Sequence, residues 1–121
     1  MKILVAHASN YDYRTELYEP LKQSTLAQEH TIIFPHDDAD AEIETNSHVV
    51  NAELLIAEVS HPSTGTGIEI GLAQAAKVPT LFLYKTGVTL SSALKFIRGT
   101  LVEYTDASDL VAKVQEHLTK C

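Results

Sequence analysis

The stretch from Leu54 to Gly71 restricts this chain more than any other part of its sequence. Leu54-Leu55-Ile56-Ala57-Glu58-Val59 is too short for a core helix and suits a buried strand. Pro62-Ser63-Thr64-Gly65-Thr66-Gly67 follows as a Gly-rich turn. Leu72-Ala73-Gln74-Ala75-Ala76 is then a helix-forming run that must stop before Val78-Pro79. Strand, glycine turn and helix N-terminus in that order form a natural anion site, because the first helical N–H groups have no intrahelical partner and the helix dipole is positive there. Glycines at 65 and 67 let a ligand approach the backbone. One carboxylate, Glu69, lies in the first helical turn. Thr66-Gly67-Ile68-Glu69 also fits a capping box, in which Glu69 only bonds back to the Thr66 N–H. Cap and functional carboxylate both remain open at this point.

The rest of the chain repeats the same alternation. Ile3 to Ala6 reads as a buried first strand, followed by the polar loop His7-Ala8-Ser9-Asn10-Tyr11-Asp12-Tyr13-Arg14. Leu17 and Leu21, with Tyr18 and Leu26 as further candidates, give a helical stripe through residue 29, with Pro20 forcing a kink or a late start. Thr31-Ile32-Ile33-Phe34 is a second strand closed by Pro35. Residues 43 to 51 are expected to form a short helix with Val49 and Val50 turned inward. Thr80 to Tyr84 is a fourth strand, Ser91 to Ile97 a short helix and Leu101 to Tyr104 a final strand. Thr105 or Asp106 can cap a last helix whose apolar face is Leu110, Val111, Val114 and Leu118.

Strands and helices alternating at this spacing predict a single α/β domain over residues 1–121. The expected architecture is a flavodoxin-like, Rossmann-like sandwich with a five-stranded parallel sheet of order 2-1-3-4-5 and helices on both faces. Ligands of such sheets bind beyond the carboxyl ends of the strands, at the switch point between strands one and three, where loops 7–14 and 60–67 both end.

Composition narrows the function classes. A net charge of −7 argues against coating nucleic acid through its phosphates, while leaving room for one phosphate held locally by backbone amides and an arginine. No run approaches the roughly 20 apolar residues that span a bilayer. Met1 to Ala6 is too short for a signal peptide, and the one cysteine, Cys121, excludes an internal disulfide framework. These features fit a cytoplasmic protein. His36 to Glu44 is the most acidic stretch. No ligand spacing specific to one metal occurs there, so it reads as a solvated loop placing negative charge before a helix, and neither metal nor cofactor is expected.

The run from Ala52 to Ser63, continued by Gly65, Gly67, Glu69 and Gly71, resembles the central motif of the nucleoside 2-deoxyribosyltransferase superfamily. It is most like the branch of 2'-deoxynucleoside 5'-phosphate N-hydrolases. Pro79 and Ile97-Arg98-Gly99 continue the similarity, although only residues 52 to 73 carry specificity. The resemblance implies cleavage or transfer at the N-glycosidic bond of 2'-deoxynucleosides or their 5'-monophosphates, with Glu69 as nucleophile. It implies that Ser63, Gly65 and Gly67 hold the 5'-phosphate, and that Ser92 is offered by a neighbouring subunit of a homodimer or larger homo-oligomer.

The family's first loop is glycine-rich and holds sugar and phosphate. Here His7, Ser9, Tyr11, Tyr13 and Arg14 stand in its place, with Tyr13 joining Glu69 among the catalytic candidates. A tyrosine-bearing surface loop with a helix-start arginine is the competing reading. Glu53 stands where the family has Asp. Eight residues earlier, where the family carries its second catalytic carboxylate, this chain has Thr45, so Glu44 or Glu42 would have to supply the acid. Two function classes follow. One is an enzyme acting on the N-glycosidic bond of a small nucleoside or nucleotide. The other is a nucleotide- or phosphosugar-binding domain that has lost the chemistry.

Overall fold

The computed structural model describes residues 1–37 and 45–120, without the side chains of residues 45 and 46. Five strands, β1 (Lys2–Ala6), β2 (Thr31–Ile33), β3 (Leu54–Glu58), β4 (Thr80–Lys85) and β5 (Thr100–Tyr104), form one sheet in the order β2-β1-β3-β4-β5. Every neighbouring pair is parallel, and Ile56 in the middle of β3 is flanked by Val5 and Leu81. The expected fold and strand order are therefore present.

Side chains alternate across the pleat, so the three central strands β1, β3 and β4 feed two cores. Ile3, Val5, Leu54, Ile56, Leu81 and Leu83 face one side. There they pack with Leu17, Tyr18 and Leu21 and with Leu110 and Val114 of α5 (Ala107–Thr119). Leu4, Ala6, Leu55, Ala57 and Phe82 face the other side. There they meet Val49 of α3 (Thr45–Val50) and Ile70 and Ala73 of α4 (Thr64–Ala75). A sheet covered on both faces needs unbroken apolar strands, which explains why β1 and β3 do not alternate in polarity. Asp106 caps α5, its carboxylate accepting the Asp109 N–H at 2.8 Å.

Three local expectations need correction. The helix read through residue 29 consists of three pieces: a π-helical turn (Arg14–Tyr18), α1 (Glu19–Lys22) and α2 (Leu26–Glu29). Pro20 donates no N–H and its ring crowds the carbonyl four residues back, a conflict that the widened turn before it relieves. Ser24 then ends α1 by donating its hydroxyl to the Leu21 carbonyl at 2.6 Å. Val50 is 49% exposed, because α3 buries a single face and Val49 occupies it. Strand two stops at Ile33, where the Phe34 carbonyl accepts the Asp37 N–H at 3.1 Å and turns the chain.

At the entrance to β5, Gly99 has φ +148°, and a Cβ there would lie 2.2 Å from the Phe82 ring. Only glycine fits this approach of turn to sheet. Glu53, where the resembling family has Asp, accepts the Lys2 N–H at 2.9 Å and ties the start of β3 to β1.

Candidate functional site

The carboxyl ends of β1, β3 and β4 meet at the switch point, and the turn after β3 supplies the helix N-terminus. Ser63 is extended (φ −155°, ψ 130°) and is the N-cap of α4. Its Oγ accepts the Thr66 N–H at 3.3 Å and its carbonyl accepts the Gly67 N–H at 3.0 Å. The N–H groups of Thr64 and Gly65 come one turn too early for an intrahelical acceptor. A Cβ at Gly65 would meet only Ser63 Oγ, at 3.9 Å, and one at Gly67 would meet nothing within 4 Å. The turn thus offers open backbone donors at the positive end of a helix of 12 residues.

With Ser63 as the cap, the box read at Thr66–Glu69 does not form. Glu69 sits beyond the first turn and makes no hydrogen bond to a described residue. Its carboxyl is half-buried, and desolvation pushes its pKa up from 4.5 to about 7. At roughly 100° per residue, Glu69 and the pair Gly67 and Gln74 flank the buried stripe Thr66–Ile70–Ala73 on opposite sides. Gly67 and Gln74, with His61, Ser63, Ser91 and Leu94, line a cavity of about 390 Å³ between α4 and the 3₁₀ helix (Ser92–Phe96); Glu69 does not line it.

The loop after β1 folds around His7. Its Nδ1 lies 2.7 Å from the Ala8 carbonyl and its Nε2 2.6 Å from Tyr18 Oη. A carbonyl only accepts, so Nδ1 carries the proton and Nε2 accepts from the Tyr18 hydroxyl, which in turn accepts the His36 N–H at 3.1 Å. Burial lowers the His7 pKa to about 4, with His36 and Arg14 pushing the same way against the Ala8 bond. His7 is therefore neutral near pH 7, buried, and has both ring nitrogens engaged within the protein. Tyr13 lies 4.4 Å from that ring, centroid to centroid. Tyr18, a candidate for the helical stripe, is buried at the end of the π-helical turn, where its hydroxyl reaches His7.

Arg14 donates to the His36 carbonyl at 2.7 Å and pairs with Asp37 at 3.4 Å, while Lys22 pairs with the same carboxylate. Its guanidinium is thus committed to the segment after β2. Ser9 is exposed on the β1 loop. Ser92 opens the 3₁₀ helix and is exposed, while its neighbour Ser91 caps that helix and lines the cavity. Glu42, Glu44 and Cys121 lie outside the described residues, as does the side chain of Thr45.

Sequence reasoning missed a second constellation. Glu58, the last residue of β3, is 1% exposed. Its Oε1 accepts the Ser60 N–H at 2.5 Å, and its Oε2 accepts the Ser60 hydroxyl at 2.9 Å and the Tyr104 hydroxyl. Tyr11 stacks on His61 with centroids 4.4 Å apart. Its buried hydroxyl has no hydrogen-bond partner among the described residues, and desolvation followed by the Glu58 charge raises its pKa. A carboxylate ending an otherwise apolar strand was the available signal. Among the described residues, no group of three or more His, Cys, Asp or Glu is placed to hold a metal ion. Nor is any helix long and apolar enough to cross a membrane.

No protein-family model matches the chain. Over 72 residues it is 39% identical to a protein of Syntrophotalea carbinolica named putative 2'-deoxynucleoside 5'-phosphate N-hydrolase 1, matching 57% of this chain and 51% of that protein. A protein of the same name from Methanosarcina mazei is 41% identical over 58 residues, matching 48% of this chain and 36% of its own length. The chain thus spans about half the length, or less, of the curated relatives it matches. In fold it superposes on the CMP N-glycosidase of Clostridium botulinum with a TM-score of 0.75 at 17% identity, covering 97% of this chain and 99% of that one. Sequence similarity over part of the chain and fold similarity over nearly all of it thus agree with the resemblance carried by residues 52–73: the chain resembles the nucleoside 2-deoxyribosyltransferase superfamily and, within it, the 2'-deoxynucleoside 5'-phosphate N-hydrolases.

Proposed function

We propose that the protein cleaves the N-glycosidic bond of 2'-deoxynucleoside 5'-monophosphates, with Glu69 as nucleophile. The observation that carries this reading is the state of Glu69: a half-buried carboxyl near a helix start with open backbone donors, with no cap to make and a pKa raised to about 7. A group desolvated without a structural partner is the profile of a reacting group. The similarity to proteins named as putative N-hydrolases supports the same reading.

In this mechanism the Thr64 and Gly65 amides and the Ser63 hydroxyl hold the 5'-phosphate, with Arg14 and Ser9 at the rim. The ionised Glu69 attacks the anomeric carbon as the bond to the base breaks, giving a glycosyl ester through an oxocarbenium-like transition state. Water then cleaves the ester and restores the carboxylate; a second base in place of water would make the reaction a transfer. Glu44 supplies the proton that leaves with the base, in place of the family's Asp, and the Tyr13 hydroxyl donates toward the departing group. A second copy of the chain supplies Ser92.

A specific observation favours the reading in which nucleotide is bound but not cleaved: Thr45 stands where the family has its second carboxylate. Loss of a positioned acid or base costs about 100- to 10,000-fold in rate. The deciding experiment incubates the protein and its Glu69→Gln variant with each deoxynucleoside monophosphate and measures released base. Base release that Glu69→Gln abolishes is the expected result. Equal release by both proteins refutes Glu69 as nucleophile, and binding without release by either establishes the binding domain.

A further inference from the structure

Glu58 is the only buried carboxylate among the described residues, and it forms no ion pair with any of them. An unpaired buried charge is tolerated only when hydrogen bonds replace its water. All three donors that do so belong to the rim of the candidate site: the Ser60 N–H, the Ser60 hydroxyl and the Tyr104 hydroxyl at the end of β5. Ser60 Oγ also accepts the Lys85 N–H at 2.8 Å, so the residue is held by Glu58 on one side and by the end of β4 on the other. Three residues later the chain reaches Ser63, the cap of α4. Any rotation at Ser60 therefore swings Ser63 and the Thr64 and Gly65 amides together.

We propose that Glu58 is the positioning residue of the phosphate turn. Its carboxylate fixes Ser60, and through Ser60 it fixes the aim of the donors at residues 63–65. This role rests on the phosphate reading of that turn given above. The chemistry requires a group that only accepts. In Glu58→Gln the amide has one accepting and one donating end. If the oxygen keeps the Ser60 N–H, the NH₂ faces two hydroxyls whose own hydrogens lose their acceptor. In the flipped orientation two N–H groups confront each other and Ser60 is released. Glu58 itself is too buried to touch a nucleotide.

The test uses intact protein, with inorganic phosphate as probe and the backbone amide signals of residues 62–68 as readout. Glu58→Gln is expected to weaken phosphate binding by roughly tenfold, the scale of one lost hydrogen bond. Tyr104→Phe removes one donor, leaves the ring in place and is expected to act in the same direction by about threefold. It carries the test if the glutamine variant does not fold. With substrates, the ratio of kcat/KM for a deoxynucleoside monophosphate to that for the unphosphorylated deoxynucleoside should fall by the same factors, while nucleoside turnover stays within about twofold. A merely structural role would lower both substrates together and leave the ratio unchanged. Wild-type phosphate affinity in both variants, or equal loss on both substrates, overturns the proposal. So does a wild type whose 62–68 signals ignore phosphate. If wild type binds phosphate in a Glu58-dependent way yet releases no base, the hydrolase reading fails and the positioning role stands.

Discussion

The state of Glu69 leads to a prediction that can be made without any substrate. Its carboxyl titrates at 4.5 when solvated and is pushed up to about 7 in the folded protein, because α4 holds it half-buried and no described residue donates a hydrogen bond to it to offset lost water. A rise of that size disfavours the ionised form by about 3 kcal/mol, and the partial exposure of the group lets solvent recover roughly half, leaving ~1–2 kcal/mol. The sign follows from proton linkage. Between pH 4.5 and 7 the folded state holds more protons than the unfolded one, so stability falls as pH rises through that window and levels off above it.

Glu69→Gln removes the ionisation and keeps the shape. It is expected to match wild type at pH 4 and to be more stable by ~1–2 kcal/mol at pH 8, a rise in Tm of roughly 3–8 °C for a domain of this size. Urea unfolding of both proteins at pH 4, 6 and 8 measures the difference directly. A glutamine variant less stable than wild type at pH 8, or a difference that ignores pH, would mean that the carboxylate has a compensating partner and would remove the argument that it is held ready to react.

Further outcomes follow from the same geometry. If the ionised Glu69 attacks, kcat/KM for a deoxynucleoside monophosphate should increase with pH up to about 7 and flatten above it; a flat or falling profile through that range assigns the attack elsewhere. Ser63→Ala removes the cap and, on the proposed reading, a phosphate ligand, so it should cost about 1 kcal/mol in urea unfolding and also raise KM; loss of stability with unchanged KM leaves the serine as a cap alone. Gly99→Ala places a Cβ against the Phe82 ring and the Thr80 carbonyl and should cost about 1–3 kcal/mol, read from the urea midpoint; a neutral result would mean that the β5 entrance can shift to admit a methyl group.

The fold was legible because its signals are local. Unbroken apolar runs such as 54–57 and 81–83, punctuated by Pro35, Pro79 and glycine turns, admit few arrangements other than a covered parallel sheet, and the parallel connections fix its hand. The motif at residues 52–73 was equally local, and it marked the turn where Ser63, Gly65 and Gly67 sit. What became of Pro20 was harder to read. A proline announces a break without saying whether the chain kinks, stops or widens, and here the widened turn sets Tyr18 against His7.

Tertiary structure alone decided the electrostatics. Whether Glu69 capped α4 depended on which residue began that helix, a choice settled by the extended backbone at Ser63 and visible only once the turn was folded. Whether Glu58 was one more polar strand end or a hub depended on Tyr104, 46 residues away in sequence and delivered by the pairing of β4 with β5. Periodicity and propensity report which face of an element is buried. They carry nothing about which donors converge on a buried charge, because those donors come from other strands, and only the closed sheet brings them within hydrogen-bond distance.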